Sequence, residues 1–125
     1  MTDSTGEFSL QLQGNTYLKT DDSIDNYANF VGPATSFGTV MGTIKVSNPL
    51  SGPIATSGPC TWTSQAFLDD GTTVTAHGEG SYEQLAAEQK WNIDLTIQIS
   101  NGAKLRSVGE IDLAKQTFSG KFSEA

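Results

Sequence analysis

Between Trp91 and Ile99 every second residue is apolar: Trp91, Ile93, Leu95, Ile97 and Ile99 alternate with Asn92, Asp94, Thr96 and Gln98. A period of two puts all the apolar side chains on one face of a strand, whereas a helix would scatter them around its circumference. This stretch is a β-strand with one dry face. Asn101-Gly102 follows, and Leu105, Ser107, Gly109, Ile111 and Leu113 then repeat the alternation. A two-residue Asn-Gly loop would set the apolar row of one strand against the polar row of the next. A three-residue loop, Ser100-Asn101-Gly102, instead places Ile97 beside Leu105, Ile93 beside Gly109 and Trp91 beside Ile111. It also puts Gly102 where such hairpins need a left-handed residue. The indole of Trp91 is expected to cover the gap left by Gly109.

A last strand, Thr117 to Phe122, aligns Phe118, Gly120 and Phe122. A two-residue turn before it is expected to pair Leu113 with Phe118 and Ile111 with Gly120, completing an antiparallel meander. Upstream, residues 60–68 and 72–80 flank Asp69-Asp70-Gly71, a second hairpin signal. A three-residue loop there gathers Trp62, Ser64, Ala66, Val74 and Ala76 on the even face, and Phe67, Thr75, His77 and Glu79 on the odd one. A two-residue Asp70-Gly71 loop would mix these sets. Residues 39–46 and 7–12 read as strands, and residues 15–19 continue the latter after a turn.

Two segments read as long loops: 20–38, which has no sustained period, and 47–59, which holds Pro49, Gly52, Pro53, Gly58 and Pro59. Residues 81–90 are the one helix candidate, because Ser81 and Gln84 have capping-box spacing; a wide hairpin loop is the alternative. The resulting expectation is a single all-β domain spanning residues 1–125. Its strands are antiparallel and close into an up-and-down barrel of about eight strands with at most one short helix, a two-sheet sandwich being the alternative. Glycines within strands, such as Gly42, Gly78, Gly109 and Gly120, favour the curvature of a barrel. Architecture of this kind resembles the calycin-like and allene-oxide-cyclase-like barrels; the resemblance is one of fold and carries no residue across.

Charge narrows the partners. Seven bases against fourteen acids give a net charge of −7, and the bases are scattered. A nucleic-acid backbone or an anionic membrane would be repelled, and no apolar run approaches the ~20 residues that cross a bilayer. Cys60 is the only cysteine, so no intrachain disulfide forms. The first residues carry no base and no apolar stretch, unlike a secretory signal. Both features fit a reducing cytoplasm.

No phosphate-binding glycine loop, cysteine pair, zinc-binding His-Glu-x-x-His or nucleophile elbow is present. His77 and Glu79, two apart on one strand, form a candidate acid/base pair in which the carboxylate orients the imidazole. Tyr82 is a candidate hydrogen-bond donor beside them, and a solvated polar row is the alternative. Trp62, Cys60, Trp91 and Phe67 are candidates for contact with an apolar ligand; ordinary core, with Cys60 a buried inert thiol, is the alternative for the inward ones. A single histidine excludes a histidine-cluster metal site, and Asp21, Asp22 and Asp25 lack the spacing of a calcium loop. Asp94, Glu110 and Asp112 are expected at the surface, with Lys104 and Arg106 as weak partners. No cofactor is implied. The functional expectation is a barrel that binds a small apolar ligand, extended to a cofactor-independent isomerase, cyclase or lyase working by proton transfer in a dry cavity. The alternative is a homo-oligomeric assembly module, supported by apolar residues on both strand faces, such as Phe67 beside Leu68 and Val108 near Ile111.

Overall fold

The computed structural model describes residues 5–125. Alternation of apolar and polar residues builds eight strands: β1 (Gly6–Thr20), β2 (Ser23–Ala34), β3 (Gly38–Pro49), β4 (Ser57–Phe67), β5 (Thr73–Gln84), β6 (Lys90–Ile99), β7 (Lys104–Asp112) and β8 (Thr117–Glu124). Each pairs antiparallel with the next, and β8 returns to β1, so the sheet closes on itself. Closure removes the free edges that an open sheet would leave. Among the described residues there is no helix, hence none long and apolar enough to cross a membrane.

The registers follow the apolar rows. In the β6–β7 hairpin, Ile97 faces Leu105, Ile93 faces Gly109 and Trp91 faces Ile111. Gly102 sits at φ 97°, the left-handed conformation that loop requires. In the β4–β5 hairpin Phe67 faces Thr73 and Trp62 faces Gly78, which turns Trp62, Ala66 and Val74 inward. Thr72 N–H donates to Asp70 Oδ1 at 2.9 Å in the connecting turn, and this bond holds the Asp70 carboxyl below its ordinary pKa.

Several expectations are corrected. Residues 20–38 are not a loop: only Asp21 and Asp22 separate β1 from β2, and β2 pairs along its whole length with β3. Its inward residues include Asn26, Ala28 and Phe30, too mixed in polarity to show a hydrophobic period. Residues 47–59 are strand at both ends, leaving a loop at 50–56. Residues 81–90 are no helix either; β5 runs to Gln84, and Leu85 N–H donates to Lys90 O at 2.9 Å across a tight connection. In the last hairpin Ile111 faces Phe118 and Gly109 faces Gly120. The turn is thus two residues longer than expected, a shift that keeps the apolar rows together. Phe8 and Phe118, not Trp91, close the space beside Gly109. Asp112 is buried rather than exposed, its carboxylate accepting the Lys115 N–H at 3.3 Å in that turn. Asp94 does pair with Arg106, at 2.9 Å.

The barrel has two unlike ends. The turns at 35–37, 68–72 and 100–103 lie with both ends of the described chain at the lower end. There Phe37 packs on Phe122, ring centres 5.7 Å apart, over Ala66, Val74, Ile99 and Leu105. Midway, Phe118 stands between Phe8, Phe30 and Trp62 at 4.9, 5.4 and 5.9 Å. The contacts to Phe8 and Trp62 are edge-to-face and the one to Phe30 is tilted, and such pairs add to the burial of the rings. Leu10, Ile44, Ile93 and Leu95 complete this plug. The upper end carries the connections at 21–22, 50–56, 85–89 and 113–116, and is capped differently.

Candidate functional site

A bulge decides what the upper end contains. Up to Leu12 the even residues of β1 face inward; the register then shifts between Leu12 and Gly14. One extra residue exchanges the two faces of a strand. Beyond the bulge Asn15 and Tyr17 line the interior while Leu18 turns outward and is exposed. Asn15 lies opposite Ala28, and Tyr17 opposite Asn26. Asn26 in turn faces Val46 on β3, two residues before Asn48. A carboxamide-rich arc therefore runs across β1, β2 and β3.

The opposite wall is apolar. Trp91 and Ile93 from β6 and Ile111 from β7 face the arc, with Phe30, Ile44 and Tyr82 forming the floor. Together these residues enclose a cavity of about 310 Å³ above the aromatic plug. That volume is at the lower limit of what small-molecule sites offer. Every side chain lining it is uncharged. Below the plug lies a second cavity of about 80 Å³, lined by groups such as Phe37, Ala66, Ala76 and Phe122. It is almost wholly apolar, the kind of void that stays dry.

Access to the upper cavity follows from two prolines. The β3–β4 ladder stops at Lys45 and Thr61, although β3 continues to Pro49 and β4 begins at Ser57. Proline cannot donate to a ladder, and Pro49 and Pro59 stand on the two strands that separate here. The 50–56 loop lies at this notch, and its Ile54 lines the cavity while remaining 67% exposed. Tyr17, on the other rim, is 63% exposed. The mouth is apolar, open and flanked by a loop tied down by few bonds: Leu50 N–H donates to Asp22 O and Gln84 N–H to Thr56 O.

Within the cavity one polar atom stands out. Asn26 Oδ1 is buried and, among the described residues, accepts no hydrogen bond. Asn15 Nδ2 donates to Tyr17 Oη at 3.1 Å, which leaves the Tyr17 proton free to donate. Tyr82 leans over Gly58, where the absent side chain makes room for its ring. Burial, reinforced by the nearby Cys60, raises the Tyr82 pKa, so the phenol is neutral and a donor.

The residues singled out in the sequence are divided by the barrel wall. His77 and Glu79 lie together on the outside, Nε2 to Oε2 3.5 Å, with side chains 55% and 78% exposed. Tyr82, on the same strand, points inward, so these three do not share a site in one chain. Trp91 lines the upper cavity and Trp62 the lower one. Cys60 is buried in the core and lines neither; burial pushes its thiol up to about 11, so it is protonated at neutral pH. Phe67 is on the outer wall and half exposed. Asp21 and Asp22 form the first turn, whereas Asp25 is buried in the wall, accepting from the Ser47 hydroxyl with Lys45 3.9 Å away. Among the described residues no three His, Cys, Asp or Glu side chains cluster as metal ligands do.

Asn15, Tyr17, Asn26 and Asn48 escaped the sequence reading. Asn26 and Asn48 fell in segments read as loops, and the bulge hid the inward face of residues 15–17. The one available signal was the alternation of Asn26, Ala28 and Phe30, in which polar residues occupy both faces. No protein-family model, curated protein or solved structure matches the chain, so its function is read from this cavity alone.

Proposed function

We propose that the chain is a binding barrel for a small, uncharged, mostly apolar molecule, held in the upper cavity. The observation that carries this reading is a cavity of about 310 Å³ with an apolar wall, a carboxamide arc and no charged lining, open beside the 50–56 loop. A charged ligand would lose its hydration without gaining a counter-ion, which is costly in such surroundings. An apolar one exchanges water for Trp91, Ile93 and Ile111. The extension to an isomerase, cyclase or lyase would rest on Tyr82 as proton donor, since the lining holds no carboxylate or imidazole. Binding is therefore the reading the geometry favours.

The test is a fluorescence titration with N-phenyl-1-naphthylamine and with its sulfonated relative 8-anilinonaphthalene-1-sulfonate. The neutral probe is expected to bind and the anion to bind at least about ten-fold more weakly. Ala28→Phe, which fills the cavity from β2, is expected to weaken the neutral probe by a similar factor with an unchanged circular dichroism spectrum. Equal binding to wild type and Ala28→Phe would place the probe elsewhere and overturn the proposal.

A second reading, a homo-oligomeric module, is favoured by one observation. Met41 and Phe67, diagonal neighbours on β3 and β4, are exposed together on the outer wall. Sedimentation of wild type and Met41→Glu decides this: a dimer that the charge dissociates supports it, and a monomeric wild type removes it.

A further inference from the structure

Resting on the binding reading above, we infer that Asn26 selects the ligand: the upper cavity takes neutral molecules carrying an O–H or N–H donor on an otherwise apolar ring system, and rejects the same ring without the donor. Three observations converge on this. Asn26 Oδ1 is buried inside the cavity wall and accepts no hydrogen bond among the described residues. Buried carbonyl oxygens nearly always have a donor, because removal from water without replacement is costly. The residues facing it do not fill that need. Tyr17 lies directly opposite on β1; its hydroxyl accepts from Asn15 Nδ2 and keeps its proton, but makes no hydrogen bond to Asn26 Oδ1, and Val46, opposite on β3, has no side-chain donor.

The second observation is the placement of Asn26 across from the apolar wall. A flat ring lying along Trp91 and Ile111 would present its edge to β1–β3, where the carboxamides stand. The third is the absence of charge from the lining, which favours a neutral donor over an ammonium group. An ammonium would find an acceptor but no counter-charge. The ligand class is thus a phenol, an indole or a lactam-like ring rather than an acid, an amine or a plain hydrocarbon.

A site built around a hydrogen bond discriminates strongly against the analogue that lacks it, because its own polar group is then left unpaired. The matched probes are 2-naphthol and 2-methoxynaphthalene, measured by calorimetry on wild type and on Asn26→Leu, which keeps the size of the side chain but removes the acceptor. Wild type is expected to prefer 2-naphthol by about ten-fold or more. In Asn26→Leu that preference is expected to vanish, chiefly because 2-methoxynaphthalene binds as well as or better than to wild type. Equal affinities in wild type overturn the selection by Asn26 and leave the binding reading standing. A preference that survives in Asn26→Leu overturns it too, since another group would then read the donor. If neither naphthalene binds, the inference falls, and the N-phenyl-1-naphthylamine titration shows whether the binding reading falls with it.

Discussion

The ring of Trp62 occupies the place where a β-carbon at position 42 would stand, so Trp62 and Gly42, inward residues of neighbouring strands, form one packing unit. The same indole meets Phe118 edge-on at 5.9 Å and lines the lower cavity. Truncating it, Trp62→Ala, is expected to cost about 3–5 kcal/mol of stability, the range for large core aromatics. Gly42→Ala is expected to cost about 1–3 kcal/mol through overpacking. The two should not add: with the ring removed, the methyl at position 42 has room, and the double variant is expected to lose less than the sum. Urea unfolding of the three variants checks this, and strict additivity would show that the contact does not limit packing.

Stability is expected to fall at alkaline pH because of Cys60. Its thiol is raised from an ordinary value near 9 to about 11 in the folded chain. Between those values the unfolded chain has lost a proton that the folded chain retains, so rising pH favours unfolding; below that window the contribution is fully present. The loss amounts to roughly 2–3 kcal/mol at most. The raised Tyr82 acts in the same direction. Chemical unfolding at pH 8 and 10.5 should show a steeper loss in wild type than in Cys60→Ala. Parallel losses would mean that the thiol does not contribute.

His77→Ala is expected to change stability by less than about 0.5 kcal/mol and to leave probe affinity in the upper cavity unchanged. Both partners of the His77–Glu79 pair stand in solvent on the outer wall, where screening leaves little net attraction. Thermal melts and the probe titration test this together. A large loss of probe affinity in His77→Ala would join the outer wall to the cavity.

Ser47→Ala is expected to destabilise the barrel by about 1–3 kcal/mol, since it removes the hydroxyl that donates to a carboxylate buried in the wall. Among the described residues, Asp25 would keep only Lys45, 3.9 Å away, as its side-chain partner. Ser47→Thr retains the hydroxyl and is expected to recover most of the loss, which unfolding in urea can measure.

Where strands have one apolar row, residue pairing could be read before any coordinates. The spacing around Ser100-Asn101-Gly102 selected the observed hairpin, and around Asp69-Asp70-Gly71 the three-residue loop, rather than the two-residue alternative, is the one formed; a slip of one residue would have turned Ile93 or Trp62 to water. Where the interior is not apolar, the pattern carries no such signal. Strand β2 presents Asn26, Ala28 and Phe30 to the interior, while Asp25 is buried and Tyr27 and Asn29 are half-buried, so its alternation carries no contrast. The Leu12–Gly14 bulge exchanges faces halfway along β1, and only pairing with β2 shows it. At 81–90 the capping-box spacing of Ser81 and Gln84 pointed to a helix, but that spacing recurs by chance in a polar strand end, and Ala86 adopts φ 48° in a turn. The candidate site escaped for the same reason: its polar arc is built from the stretches whose patterning is weakest. Outward His77 and Glu79 stood out in sequence because titratable residues are conspicuous, whereas asparagines are not.

The position at which a neutral ligand docks separates the upper cavity from every other surface of the barrel. Backbone and indole N–H resonances of ¹⁵N-labelled protein, followed during titration with 2-naphthol, report this residue by residue. Shifts are expected at Asn15, Asn26, Tyr82, Ile111 and the Trp91 indole, with Ala34, Ala76 and Phe122 at the lower end undisturbed. Shifts confined to the lower end or to the outer strand faces, with the Trp91 indole unmoved at saturation, would contradict a binding site in the mouth of this barrel.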